Sequence, residues 1–305
     1  MKFFSNKNII SLIKKKPVYF PFIFFKIIKA FFYRKINLFS YLKKNREIIR
    51  KIKNLNLSSN SINFSNCNRW KSEFEDKEFS ISNWSSSRNS KLRDFYLDLI
   101  DSNRIPVAPK DKEEYWSALQ LNWLFHEVRS NKTKSEDAEL IIKQACQFMS
   151  ANDDNWIYRQ FTISEMITNI VKIQLYFGNE LNLGCDVKNF LKKGTFYILN
   201  NLEIYSFSNK TSLNHTNNHI LSNVRALFWG TKIFNNQDLY EVAIYIYRKH
   251  CIGLFDDGVL DEGSTIYHFI AAQCLYDISF FLDLKELPRV DRLISCMNKN
   301  KLCIC

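Results

Sequence analysis

The sequence predicts an all-α chain, an incomplete α/α toroid of helical hairpins preceded by a basic helical leader. Three observations carry this. Only 7 Gly and 5 Pro occur in 305 residues, and no Gly precedes Gly178. Sandwiches and barrels need many more turn residues than that. Apolar residues recur with a helical period from about Lys91 to Lys299. The breaks between these segments are short and polar, as in helical hairpins. With 46% hydrophobic and 15% aromatic residues, there is ample material for a packed core.

The leader spans 1–53. It holds 15 Lys/Arg against one acid, Glu47, for a net charge of +14. From residue 54 onward the balance is −2, so the total of +12 resides in the leader. An anionic partner such as a phospholipid surface fits that charge; the plainer reading is a solvated basic helix. The stretch Pro17–Tyr33 is aromatic and apolar, but Lys26 and Lys29 interrupt it. It is short for a membrane span and lacks a small-residue cleavage site, so an interfacial or core helix fits better. The expected location is the cytoplasm or the inner-membrane surface.

Residues 54–90 are dense in Ser and Asn yet contain Phe64, Trp70, Phe79 and Trp84. Two tryptophans argue for extended chain packed on the helical body of 54–305, not for a free linker. Helices are then expected at 91–101, 113–129, 136–150, 162–178, 187–203, 218–234, 238–251, 264–283 and 289–299. In the 218–234 segment, Ile220, Leu221, Val224, Leu227 and Phe228 form one apolar stripe. No period is strict enough for a repeat array.

The 8 Cys form no CxxC pair, and no His stands at zinc-finger spacing. Neither a metal nor a cofactor is expected. Buried free thiols, Cys274 among them, are the expected state.

The densest polar constellation lies in NHTNNHILSNVRALFWG, Asn214–Gly230. Asn218 and His219 open the predicted helix, and Asn218, Ser222 and Arg225 follow one another on a polar stripe beside the apolar one. Asn218 also reads simply as an N-cap. The run of Asn214, His215, Asn217, Asn218 and His219 exceeds what capping needs. A second segment, FDDGVLDEGSTIYHFIAAQ, covers Phe255–Gln273. With Ser264 as N-cap, Tyr267 falls in the first helical turn, where the amide dipoles favour negative charge. The plain alternative is that Tyr267 and His268 are ordinary half-buried residues.

Together these segments resemble the heparinase II/III and alginate lyase family within its helical toroid domain. Two upstream stretches agree in order: RWKSEF with SKLRDFYLDLIDS across Arg69–Ser102, and NWIYRQFTISEMITNIV, Asn155–Val171, with its Trp156 and Ser-Glu-x-x-x-Asn pattern. The resemblance covers roughly 60–300. It implies β-elimination next to a uronic acid in an acidic polysaccharide or oligosaccharide. Asn218 and His219 match the groups that neutralise the uronate carboxylate, which makes the C5 proton acidic. Tyr267 matches the proton-transferring residue. Arg225, Ser222, His268 and Trp156 are expected to bind substrate, with Arg225 or His219 also favouring the phenolate. Family members continue into a β-sandwich that closes over the toroid and supplies another His. The chain is therefore expected to be truncated, with a separately encoded sandwich half as a partner. The family also implies a periplasmic alternative for its location.

Three rivals compete. A glycoside hydrolase needs two carboxylates flanking the bond; Asp256, Asp257, Asp261 and Glu262 offer one, with no distant partner evident. A non-catalytic carbohydrate-binding remnant would keep the groove alone. Nucleic-acid binding by the leader lacks any recognised motif, so no nucleic-acid partner is expected.

Overall fold

The computed structural model describes residues 46–57, 86–106, 111–155, 157–202, 218–256, 259–260, 265–283 and 287. The aromatic part of the leader, the anchors Phe64, Trp70, Phe79 and Trp84, and the helix expected at 289–299 lie outside them. The chain divides into two units, Met1–Asn54 and Leu55–Cys305. In the first, α1 (Arg46–Asn54) carries Glu47 in its first turn and Lys51 and Lys53 in its last, which complements the helix dipole. Among the described residues no helix is long and apolar enough to cross a membrane.

The second unit is helical. Its elements are α2 (Ser86–Ser102), α3 (Lys112–Leu119), α4 (Asn122–Arg129), α5 (Ser135–Ala151), α6 (Gln160–Phe177), α7 (Cys185–Asn200), α8 (Asn218–Phe234), α9 (Gln237–Ile246) and α10 (Thr265–Ser279). Among the described residues, one antiparallel pair, β1 (Phe255–Asp256) with β2 (Val259–Leu260), interrupts the series before α10.

The expected helix 113–129 is two helices, α3 and α4. Leu121 between them is left-handed, with φ 60°. The reason is burial. Ala118, Leu119, Leu121, Trp123, Leu124 and Val128 are all buried, yet they point all round a single helix axis. Breaking the helix lets both halves turn apolar residues inward. The cost of a left-handed residue, about 1–2 kcal/mol, is offset by the enclosure of Leu121. The indole Nε1 of Trp123 donates to the Ala118 carbonyl at 2.9 Å across the break.

The expected helix 238–251 is helical to its last residue but changes pitch. After α9 the chain widens into a π-helical turn, Tyr247–Cys251, then a 3-10 turn, Ile252–Leu254. That turn buries Tyr247, His250 and Cys251 together. At the start of α9, the Asn236 side chain caps the helix by accepting from the Leu239 amide at 2.8 Å.

Side-chain contacts give the helix directions. From α4 to α6, Asn122 meets Asn169, Phe125 meets Lys172, and Asn131 just past α4 meets Tyr176. From α6 to α8, Phe161 meets His219, Ser164 meets Asn223, and Glu165 meets Arg225. From α8 to α10, Arg225 meets Asp277, and Trp229 meets Phe281 just past α10. Residue numbers rise together in every case, so α4, α6, α8 and α10 run parallel.

The helices between them return. Gly194 of α7 packs against Ile163 and Ile167, while Gln160 reaches the Asn201 carbonyl, so α7 is antiparallel to α6. A Cβ at Gly194 would lie 3.0 Å from both isoleucines, and glycine therefore permits this close crossing. The two sets also differ in burial. Every residue from Thr162 to Tyr176 of α6 is buried, as is Ile220–Gly230 of α8. In contrast, α5 and α7 alternate buried and exposed positions. The all-round burial of α6 and α8 marks them as central helices.

Candidate functional site

The parallel run of α4, α6, α8 and α10 puts their N-termini at one end of the array. Asn218 and His219 begin α8, and Tyr267 and His268 lie in the first turn of α10. Arg225 and Asp277 are 52 positions apart, and so are Trp229 and Phe281. Carried back along the two helices, that register puts the Tyr267 backbone within about 6 Å, along the axis, of the level of His219. The backbones of the two segments are thus at the same end.

The His219 ring is half-buried and leans on Phe161, with ring centroids 4.9 Å apart and planes tilted by 35°. Only the backbones of Asn218, Tyr267 and His268 are among the described features; their side chains lie outside. Trp156 lies outside altogether, as do His215, Asp257, Asp261, Glu262 and Ser264.

Two residues expected to touch substrate, Ser222 and Arg225, are instead enclosed within the protein. Ser222 has no exposure and Arg225 has 2%. Their partners are carboxylates of the chain itself. Both donate to Glu165 Oε1. Arg225 also lies 3.5 Å from Asp277 Oδ2, and Lys172 Nζ lies 3.1 Å from Asp277 Oδ1. Beside this cluster, Ser164 donates to Asn223 at 2.7 Å. The physical reason for the correction is the width of the stripe. Ser222, Asn223 and Arg225 face α6 and α10, and at mid-helix both neighbours close over them.

Two acids and two bases make the cluster neutral, with three of the inner helices contributing. Burial lowers the Lys172 ammonium below its usual range, and the Asp277 carboxylate works against that fall. The nearby Cys274 thiol is pushed up to about 12 by burial first, with Glu165 and Asp277 adding to the rise and Arg225 opposing it. Such a thiol stays protonated and inert near neutral pH. Cys146, Cys251 and Cys274 are buried free thiols, as the sequence suggests, whereas Cys185 is free but exposed.

Sequence reasoning missed Glu165, Lys172 and Asp277 as a linked set. Each is a charge inside an apolar helical run: FTISEMITNIV, NIVKIQLYF and CLYDISFF. A charge so placed must find an opposite charge on a neighbouring helix. That was the available signal, although the pairing itself needs the tertiary structure.

His250 sits in the π-helical turn at 9% exposure. Burial first, and Lys249 second, lower its imidazole to about 4 from an ordinary 6.5. A base held below its unfolded value favours the neutral form in the fold. Its contribution is therefore complete above 6.5 and is lost as pH falls toward about 4. A His250→Gln variant, which cannot take up that proton, is expected to show a flatter loss of stability across this window. Urea unfolding of both proteins between the two pH values checks this; parallel curves would refute it.

No family model, curated protein or solved structure matches this chain.

Proposed function

We propose that residues 54–305 form an incomplete α/α toroid that binds uronic-acid polysaccharide and belongs to a β-eliminating lyase of the heparinase II/III type. The supporting observation is the parallel register of α8 and α10, which brings the backbones of Asn218, His219 and Tyr267 to one end of the array. In this reading Asn218 and His219 donate to the uronate carboxylate and stabilise the enolate-like intermediate. Tyr267 takes the C5 proton. The C4–O4 bond then breaks, its electrons leave with the oxygen, which takes up the proton held by Tyr267, and a C4–C5 double bond forms. His268 and Trp156 are the flanking substrate contacts in this proposal. Ser222 and Arg225 act through the fold, holding α8 against α6 and α10.

One observation favours a second reading, non-catalytic binding of acidic saccharide. Arg225, which with His219 and the helix terminus is one of the sources of positive charge expected to assist a Tyr267 phenolate, is neutralised by Glu165 and Asp277 two turns into the helix. A free phenol ionises near 10 and needs positive charge to act at neutral pH.

The test is titration calorimetry with uronic-acid hexasaccharides, run beside an ultraviolet assay for unsaturated product. Asn218→Ala with His219→Ala is expected to weaken binding by about tenfold or more, from the loss of charge-assisted donors. Tyr267→Phe is expected to leave binding unchanged. Unsaturated product that disappears in Tyr267→Phe selects the lyase reading. Binding with no product selects the second reading. No binding by the unaltered protein refutes both.

A further inference from the structure

We infer that residues 1–53 dock the protein on an anionic phospholipid bilayer surface, through their surplus of positive charge and the apolar stretch 17–33. This is independent of the saccharide reading above. Residues 1–45 are outside the described residues, and what they contribute is charge and apolarity in sequence order.

Charge asymmetry is the first observation. Residues 1–53 carry 15 Lys/Arg and a single acid, Glu47, whereas the chain from 54 onward sums to −2. One acid cannot neutralise fifteen cations, so a surplus of +14 remains whatever pairs form within the segment. The described end of the segment agrees. In α1, Arg50 and Lys53 are exposed and three positions apart, on the far side of the helix from the buried Ile48. The segment also stands as a unit of its own, Met1–Asn54.

The second observation is where the apolar residues fall. Lys14, Lys15 and Lys16 precede the stretch 17–33, and Arg34 and Lys35 follow it. Within it stand six Phe, two Tyr, three Ile and Val18, with no Ser, Thr, Asn, Gln, His, Asp or Glu. Reading base edges requires donors and acceptors of that missing kind, and aliphatic side chains offer no π-face for bases to stack on. The acyl boundary of a bilayer takes up aromatic and aliphatic side chains alike. Lys26 and Lys29 carry their charge on long stems, which reach headgroup level from between buried neighbours. Seventeen residues with two cations among them are short of the roughly 20 apolar residues that a span needs, so the stretch suits the surface. Anionic headgroups attract the flanking cations over about a Debye length, while the rings leave water. Charge and apolar insertion therefore act together.

The experiment is co-sedimentation of the full chain with vesicles of phosphatidylcholine alone, or of equal parts phosphatidylcholine and phosphatidylserine. Binding to the anionic vesicles is expected to exceed binding to the neutral ones by about tenfold or more. It is expected to fall by a similar factor as salt rises from about 0.1 M to about 1 M. Lys14→Gln with Lys15→Gln and Lys16→Gln should weaken anionic binding by about tenfold or more. An equal charge change on exposed lysines of the second unit, Lys132→Gln with Lys134→Gln and Lys143→Gln, should leave it unchanged. Phe24→Ser with Phe25→Ser should weaken it while the charge is untouched. Thermal melting shows whether each variant is folded, and the salt series on the unaltered chain asks the same question without a substitution. No binding to either vesicle, or equal binding to both, overturns the inference. Equal weakening by the two lysine triples assigns the effect to net charge and overturns the role of residues 1–53. If single-stranded RNA displaces the chain from vesicles and Phe24→Ser with Phe25→Ser binds as the unaltered chain does, the partner is nucleic acid and the inference fails.

Discussion

Arg225→Met is expected to lower folding stability by about 3–5 kcal/mol, the cost of leaving a buried charge without its partner. The guanidinium joins α8 to Glu165 of α6 and to Asp277 of α10, and all three groups are buried. Without it, Glu165 retains only the Ser222 hydroxyl among the contacts described here, and Asp277 retains Lys172. The cluster then holds one more acid than base inside a low-dielectric interior. Adding Glu165→Gln to Arg225→Met removes the excess negative charge. The double variant is expected to be more stable than Arg225→Met alone, with a coupling between the two sites of about 1–3 kcal/mol. Urea unfolding of the two single variants and the double variant measures that coupling. If the double variant is simply the sum of the singles, Glu165 and Arg225 do not depend on each other as described. Register should suffer too, because Arg225 ties the helix carrying His219 to the one carrying Tyr267. Under the proposed saccharide-binding reading, binding of uronic-acid hexasaccharide by Arg225→Met, measured under conditions where it remains folded, is therefore expected to weaken although the side chain is enclosed.

Trp123→Ala is expected to cost about 3–5 kcal/mol, the usual penalty for emptying the space of a large buried aromatic. Trp123 is fully buried and leans on Tyr96 of α2 with ring centroids 5.5 Å apart. Its Nε1 also reaches across the break at Leu121 to the Ala118 carbonyl. Two contributions are therefore lost together, apolar packing and one buried hydrogen bond. Trp123→Phe separates them. It keeps most of the ring and loses the hydrogen bond, so a smaller cost of about 1–2 kcal/mol is expected. Thermal or urea unfolding of both variants gives the comparison. Equal costs would mean that the hydrogen bond across the break dominates over ring volume.

Much of the helical architecture is legible in the sequence. The scarcity of Gly and the apolar stripe through Ile220, Leu221, Val224, Leu227 and Phe228 suffice for an α-helix at 218–234, and α8 is Asn218–Phe234. These are local features, set by backbone period and by what one helix face must bury. The break at Leu121 was not legible in the same way. Position by position, 113–129 reads as helix, and only the competing demands of neighbours decide that one left-handed residue costs less than leaving Leu121 or Trp123 exposed. The π-helical turn after α9 is a similar case, since it serves to bury Tyr247, His250 and Cys251 at once.

For the candidate site the division is sharper. The sequence by itself determined that polar residues gather at two helix starts, Asn218–His219 and the first turn before His268, because capping chemistry and the onset of apolar period are both local. It also determined that charges stand inside apolar runs at Glu165, Lys172 and Asp277. Only the tertiary structure decided what those charges do. Their partners are 60 positions away for Glu165 with Arg225 and 105 for Lys172 with Asp277. No local pattern specifies a pairing over such separations. Solvent exclusion between parallel helices does, because a charge removed from water is stable only where an opposite charge is held against it. The same enclosure moved Ser222 and Arg225 from an expected groove surface into the interior. Their positions on the helix were readable from a 3.6-residue period, but whether that face met water or another helix was settled by packing alone.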